Sequence, residues 1–190
     1  GDDKLYNTCV VVDPNGNIVA KHRKIHLFDI DVPGRIYFKE SDSLTGGNNI
    51  TTFQTPFGLN IGIGICYDIR FPELAIAMRS KGCNFLIYPG AFNMTTGPAH
   101  WDLLQKARAV DSQCFVSCVS PARDKSPDAG YIAYGHSSLY NPWGELVVGT
   151  NEDSDVIFGD INVQEAYTMR ENIPCWKQKR TDVYTSVEEV

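Results

Sequence analysis

The run LNIGIGICYDIRFPELA at positions 59–75 decides how the chain folds. Leu59, Ile61, Ile63 and Ile65 alternate with Asn60, Gly62, Gly64 and Cys66, which is the two-residue period of a strand. One face is aliphatic and the other nearly bare, so neighbouring structure can press close to the backbone on the glycine side. Pro72 suits a first helical position, Glu73 to Arg79 continue the helix, and Gly82 stops it. Strand, cysteine, short turn, helix is the order that lifts a side chain onto a sharp bend. A helix start beside it favours a thiolate, and the Tyr67 N–H is placed to face an oxyanion. On these residues alone Cys66 is either small buried filler or a nucleophile at a strand end, and both stay open.

Outward from this run, strands are expected at 84–88, 114–119 and 156–161. A helix opened by Gly97-Pro98 covers 100–111 with Leu103, Leu104, Ala107 and Val110 as its apolar stripe, and a further helix covers 163–171. The alternation argues for a layered α/β fold. Strands at 7–12 and 17–21 flank the turn residues Asp13-Pro14-Asn15-Gly16. A similar unit, Tyr140-Asn141-Pro142-Trp143-Gly144-Glu145, recurs late. Positions 22–49 show little periodicity and read as a long irregular segment of the kind that carries function. The tail from 176 to 190 is polar and without a period, and no linker divides the chain, so residues 1–190 are expected to form a single domain.

With 190 residues, 43% hydrophobic and 21% charged, the composition is that of a globular protein with a sizeable core. The net charge of -6 and the lack of a basic stripe argue against nucleic acid. No apolar run reaches the roughly 18 residues of a membrane helix. The six cysteines, Cys9, Cys66, Cys83, Cys114, Cys118 and Cys175, form no CxxC pair. Cys114 and Cys118 on one strand stand about 13 Å apart, too far for a disulfide, which needs about 4.4–6.8 Å. A reducing compartment is expected, with neither a metal nor a cofactor.

A cysteine nucleophile needs a base and an electrostatic helper. None of His22, His26, His100 and His136 sits in a motif that marks it as the base, and Lys24 alone would be an ordinary surface charge. Three longer motifs change this: Arg23-Lys24-Ile25-His26-Leu27, then Gly64-Ile65-Cys66-Tyr67-Asp68-Ile69-Arg70-Phe71-Pro72-Glu73, then Tyr88-Pro89-Gly90-Ala91-Phe92 with Gly97-Pro98-Ala99-His100-Trp101. In this order, with Lys24 lying 42 residues before Cys66, they resemble the nitrilase superfamily of carbon–nitrogen hydrolases. Within it, the run from His26 to Gly34 and the run from Asn93 to Pro98 are most similar to the omega-amidase branch.

The resemblance implies a four-layer αββα sandwich and homodimers packed through elements around the site. It implies Cys66 as nucleophile, Lys24 as stabiliser of the tetrahedral intermediate, and Glu40 as the glutamate that supports the lysine. Lys24 and the Tyr67 N–H would form the oxyanion hole. Arg70 and Thr96 would hold a substrate carboxylate, and Phe92 would line the pocket. The implied activity is hydrolysis of the terminal amide of alpha-ketoglutaramate and succinamate through a thioester. Deaminated-glutathione amidase and a non-catalytic interaction module are the rivals. The cytoplasm is the expected compartment, with the mitochondrion as a second. The family's base is a glutamate ahead of the lysine, yet positions 1–23 hold Asp2, Asp3 and Asp13 and no glutamate. The chain is therefore expected to be an N-terminally incomplete domain of poor activity.

Overall fold

A computed structural model of the chain describes residues 3–34 and 36–184. Its centre is a six-stranded mixed sheet made of β5 (Thr51–Gln54), β6 (Asn60–Ile63), β7 (Phe85–Pro89), β8 (Phe115–Val119), β9 (Ser138–Tyr140) and β10 (Leu146–Gly149). These lie in the order β10-β9-β8-β7-β6-β5. β6, β7 and β8 are parallel, joined by the crossover helices α1 (Pro72–Ser80) and α2 (Gly97–Ser112), and the outer pairs are antiparallel. Two antiparallel hairpins precede the sheet: β1 (Thr8–Val12) with β2 (Ile18–Arg23), and β3 (Asp29–Val32) with β4 (Ile36–Lys39). The helix α3 (Val163–Asn172) follows it.

The alternation at 59–66 divides the core. Ile61 and Ile63 pack with Phe85, Phe115, Leu139 and Ala166 of α3, and Cys9 and Val11 of β1 lean on that cluster. The opposite face meets α1 and α2 through Met78, Leu86, Tyr88, Trp101 and Val116. A methyl group on Gly62 would stand 2.5 Å from the Met78 sulfur, and one on Gly64 2.5 Å from the Tyr88 ring. The bare face is thus what allows helix and strand to close over it. The layers run from helices to the six-stranded sheet to the β1–β2 hairpin and α3, an α/β fold of the expected class.

Three expectations need correction. Positions 156–161 form no strand. Gly159 lies over the side chains of Val148 and Leu139, so the segment crosses the face of the sheet, where no ladder hydrogen bonds are on offer. Positions 22–49 are not irregular, for the β3–β4 hairpin and a 3₁₀ turn (Glu40–Asp42) fill much of them. β4 is exposed along its whole length, so no buried face marked it in the sequence. Half of the apolar stripe foreseen for α2 faces outward: Leu104 packs on the core and Ala107 is half-buried, but Leu103 is 61% and Val110 45% exposed. The buried positions are Trp101, Gln105, Arg108, Ala109 and Ser112. Polar groups are tolerated there because each is paired. Ser138 donates to Gln105 Oε1 at 2.9 Å, and Arg108 donates to the carbonyls of Ile69 at 2.8 Å and Arg70 at 3.3 Å. In the tail, 175–178 form a 3₁₀ turn, and 185–190 lie outside the described residues.

Candidate active site

Cys66 follows β6 at the carboxyl end of the parallel strands, where open α/β sheets place their sites. Its φ of +47° is left-handed, a conformation costing a residue with a Cβ about 1–2 kcal/mol. Gly90, just past β7, lies directly beneath it: a Cβ there would stand 2.5 Å from Cys66 Cα and 2.6 Å from Cys66 Cβ. The thiol donates to the Ala91 carbonyl at 3.5 Å, and that oxygen also accepts from the Tyr131 hydroxyl at 3.1 Å. Gly90→Ala is expected to destabilise the fold by about 2 kcal/mol. It should also displace Cys66, read as a lower unfolding midpoint together with an altered alkylation rate of that thiol.

The short turn after Cys66 is a five-residue 3₁₀ turn (Cys66–Arg70), and α1 begins at Pro72 as expected. Burial dominates the thiol and pushes its pKa above the ordinary cysteine value. The Ala91 carbonyl contact, Lys24 and Arg70 pull it down, and Glu40 pushes it up. At neutral pH the resting group is therefore the thiol, which needs a partner to remove its proton.

Lys24 and Glu40 stand together as the resemblance implies. Lys24 follows β2 and is 3% exposed, Glu40 is 8% exposed, and Lys24 Nζ pairs with Glu40 Oε2. Glu40 also accepts from the Phe28 N–H at 2.8 Å and from Asn7 Nδ2 at 3.3 Å. Burial pushes the Glu40 carboxyl up, but the hydrogen bonds from Lys24, Phe28 and Asn7 outweigh it and hold the group below its usual value. A carboxylate so engaged is a clamp for Lys24 and a poor proton acceptor.

Arg70 ends the 3₁₀ turn. Its guanidinium lies 4.7 Å over the Phe92 ring, and Nη1 is 3.2 Å from His100 Nδ1 in the first turn of α2. A guanidinium only donates, so His100 Nδ1 is the acceptor and the ring proton sits on Nε2. Phe92 is buried edge-on against Trp101. Thr96 caps α2, but its hydroxyl donates to Asn93 Oδ1 at 3.1 Å, and its N–H to the same oxygen at 2.9 Å. Tyr67 packs edge-on between Phe28 and Phe71, and its N–H opens the 3₁₀ turn, one of the groups a helix start leaves unpaired by its own backbone. Asp13 holds its turn by accepting from Asn15 and Asn17. Asp2 lies outside the described residues.

The motif reading missed Asp68, His22, His26 and His100. Asp68 is fully buried and accepts from His22 Nε2, His26 Nδ1 and the N–H groups of Ile65 and His26. Burial pushes its carboxyl up, and these donors outweigh it and keep it below its usual value. The signal was present in His22-Arg23-Lys24-Ile25-His26, where a histidine stands two residues to either side of the lysine. On an extended segment the three side chains share a face. Among the described residues no group of three or more His, Cys, Asp or Glu could hold a metal, and no helix is long and apolar enough to cross a membrane.

The chain as a whole has counterparts among known proteins. A family model described as carbon-nitrogen hydrolase matches residues 1–171. Omega-amidase NIT2 of Danio rerio is 54% identical over 98% of this chain and 67% of its own length. Omega-amidase NIT2 of Homo sapiens is 52% identical over 95% of this chain and 64% of its own. The chain thus spans about two thirds of these relatives. The crystal structure of the C. elegans NitFhit protein superposes with a TM-score of 0.88 at 37% identity, covering 96% of this chain and 44% of that one. Nit3 of Saccharomyces cerevisiae, a member of the nitrilase superfamily, gives 0.83 at 42% identity, covering 94% and 61%. The family model's match along most of the chain, joined to the shared architecture, makes this chain a member of the carbon–nitrogen hydrolase family.

Proposed function

We propose that the chain forms one hydrolase domain across 1–190 and that its protein is an omega-amidase, releasing ammonia from monoamides of small dicarboxylic acids such as alpha-ketoglutaramate and succinamate. The observation that carries this reading is the buried Lys24–Glu40 pair held beside a cysteine on a strained bend. The likeness to the omega-amidases supports the choice of substrate.

Cys66 attacks the amide carbon. Its proton goes to the glutamate that the family resemblance places ahead of Lys24, because Glu40 is already committed to Lys24. Lys24 Nζ and the Tyr67 N–H stabilise the oxyanion, the protonated glutamate passes that proton to the nitrogen as it leaves as ammonia, and water cleaves the thioester to the dicarboxylate and the free thiol. Arg70 takes the far carboxylate as a charge-assisted donor over the Phe92 face. Thr96 assists if its hydroxyl leaves Asn93. No metal or cofactor has a part in these steps. The apolar face of α2 left open at Leu103 and Val110 supports a homodimer. Cysteines free of disulfides suit the cytoplasm or the mitochondrion.

The test is ammonia release by the full-length gene product from alpha-ketoglutaramate against deaminated glutathione. Faster turnover of the second moves the protein to the neighbouring amidase class, and no turnover of any amide makes it an interaction module. Arg70→Ala is expected to lower kcat/KM for alpha-ketoglutaramate about 10- to 100-fold, the worth of a hydrogen bond to a charged group. It should spare an uncharged amide of similar length. Equal losses on both would remove Arg70 from carboxylate recognition.

A further inference from the structure

We infer that Asp68 is a positioning residue that sets the register of Lys24 against Cys66. The inference deepens the amidase reading and rests on Cys66 as nucleophile with Lys24 as its oxyanion partner. Asp68 Oδ2 takes the Ile65 N–H at 2.8 Å and His22 Nε2 at 3.2 Å, and Oδ1 takes the His26 N–H at 2.9 Å and His26 Nδ1 at 2.8 Å. Four donors fill the roughly four lone-pair positions of a carboxylate. Ile65 is the residue before the cysteine, and His22 and His26 stand two residues before and two after the lysine. One buried anion thus grips the lysine's segment on both sides and ties it to the base of the cysteine's bend.

The grip is itself held. Thr51 Oγ1 lies 3.1 Å from the other nitrogen of His22, and His26 stacks on Phe71 with ring centres 3.6 Å apart. Gly64 leaves Asp68 its room, since a Cβ there would stand 3.1 Å from Asp68 Cβ. The Glu40 clamp fixes the Lys24 ammonium from the other side, through Asn7 and Phe28. Glu40 sets where the charge points, and Asp68 sets where the backbone beneath it lies.

The direction of the effect separates this role from a purely electrostatic one. The groups whose charge bears on the Cys66 thiol are Lys24, Arg70 and Glu40, with Tyr131 and Cys118 nearby. Removing the Asp68 anion would, by charge alone, make the thiolate easier to form. Losing the register of Lys24 makes it harder.

The experiment is the pH profile of Cys66 alkylation by iodoacetamide, followed by mass spectrometry of the peptide that carries Cys66. It is run on the chain itself with Asp68→Asn, Lys24→Met and the double variant. Asp68→Asn is expected to move the profile up by about one pH unit, Lys24→Met at least as far, and the double variant no further than Lys24→Met alone. His26→Leu, at a partly exposed position, should give a smaller upward shift, and His26→Asn, which keeps a donor toward Asp68, should stay close to the parent. A lower unfolding midpoint with an unmoved or lowered profile, or shifts that add in the double variant, overturns the inference. If Asp68→Asn does not fold, an unmoved His26→Leu profile overturns it equally. Since alkylation needs no substrate, absence of ammonia release by the full-length gene product beside the expected shifts in the chain would sink the amidase reading and leave the register of Lys24 standing.

Discussion

Cys66→Ala is expected to cut ammonia release from alpha-ketoglutaramate by about 10⁴-fold or more, the scale seen when the nucleophile of a covalent hydrolase is removed. The oxyanion donors and the substrate pocket survive in this variant, so substrate binding should persist while thioester formation does not. Quenching during turnover should accordingly trap an acyl adduct on the parent and none on the variant. The same position makes an unusual stability prediction. Cys66 sits at a φ of +47°, and its thiol makes only a weak hydrogen bond, 3.5 Å to the Ala91 carbonyl. Alanine keeps the left-handed strain and should leave stability nearly unchanged. Glycine relieves it, and Cys66→Gly should be more stable than the parent by about 1 kcal/mol, measured by urea unfolding, while being equally inactive. A bend that is most stable when it carries no side chain is one that the nucleophile forces on the chain. Parent-like turnover by Cys66→Ala would end the amidase proposal.

The parts legible in the sequence were those in which a local pattern and a burial pattern agreed. The alternation at 59–66 announced both the strand and the two unlike faces of the sheet, because aliphatic side chains must fill one core and bare glycines admit the other. The β1–β2 and β9–β10 hairpins followed from Asn-Gly and Trp-Gly turns with left-handed glycines at Gly16 and Gly144. Patterns failed where burial was achieved by pairing. Trp101, Gln105 and Arg108 displace Leu103 and Val110 from the buried side of α2 because the His136 carbonyl, a serine of β9 and carbonyls of the 3₁₀ turn satisfy them in turn, and no hydropathy count sees that. The segment at 156–161 is apolar enough to read as a strand, yet it lies over the face of the sheet, on the side chains of Val148 and Leu139. The site divided the same way. Lys24, Glu40 and Cys66 were legible through motifs, whereas Asp68, fully buried among four donors, stood inside a motif with nothing local to mark it, because its partners His22 and His26 lie more than 40 residues earlier.

Lys24→Met is expected to reduce turnover by about 10²–10³-fold, the cost of one oxyanion donor, and to carry a stability penalty whose pH dependence is opposite to that of the parent. In the parent, Glu40 is held below its usual value by its donors. Its contribution is therefore fully present above the unfolded carboxyl pKa of about 4.3 and fades as pH falls through the lower folded value. Methionine removes the foremost of those donors and leaves the carboxylate buried with Asn7 and the Phe28 N–H alone. Breaking one partner of a buried pair costs about 3–5 kcal/mol, and the two surviving donors keep this case near the lower bound. Burial then prevails and the folded pKa rises above the unfolded one, so the penalty is present at neutral pH and relieved as pH falls through the raised value. Unfolding midpoints between about pH 7 and 5 should therefore rise on acidification relative to the parent. Glu40→Gln added to Lys24→Met removes the stranded charge and should restore most of the stability and none of the turnover. If the double variant stays as unstable as Lys24→Met, the lysine acts in the fold by packing and not by answering a buried carboxylate. If it recovers turnover, the oxyanion is stabilised without Lys24.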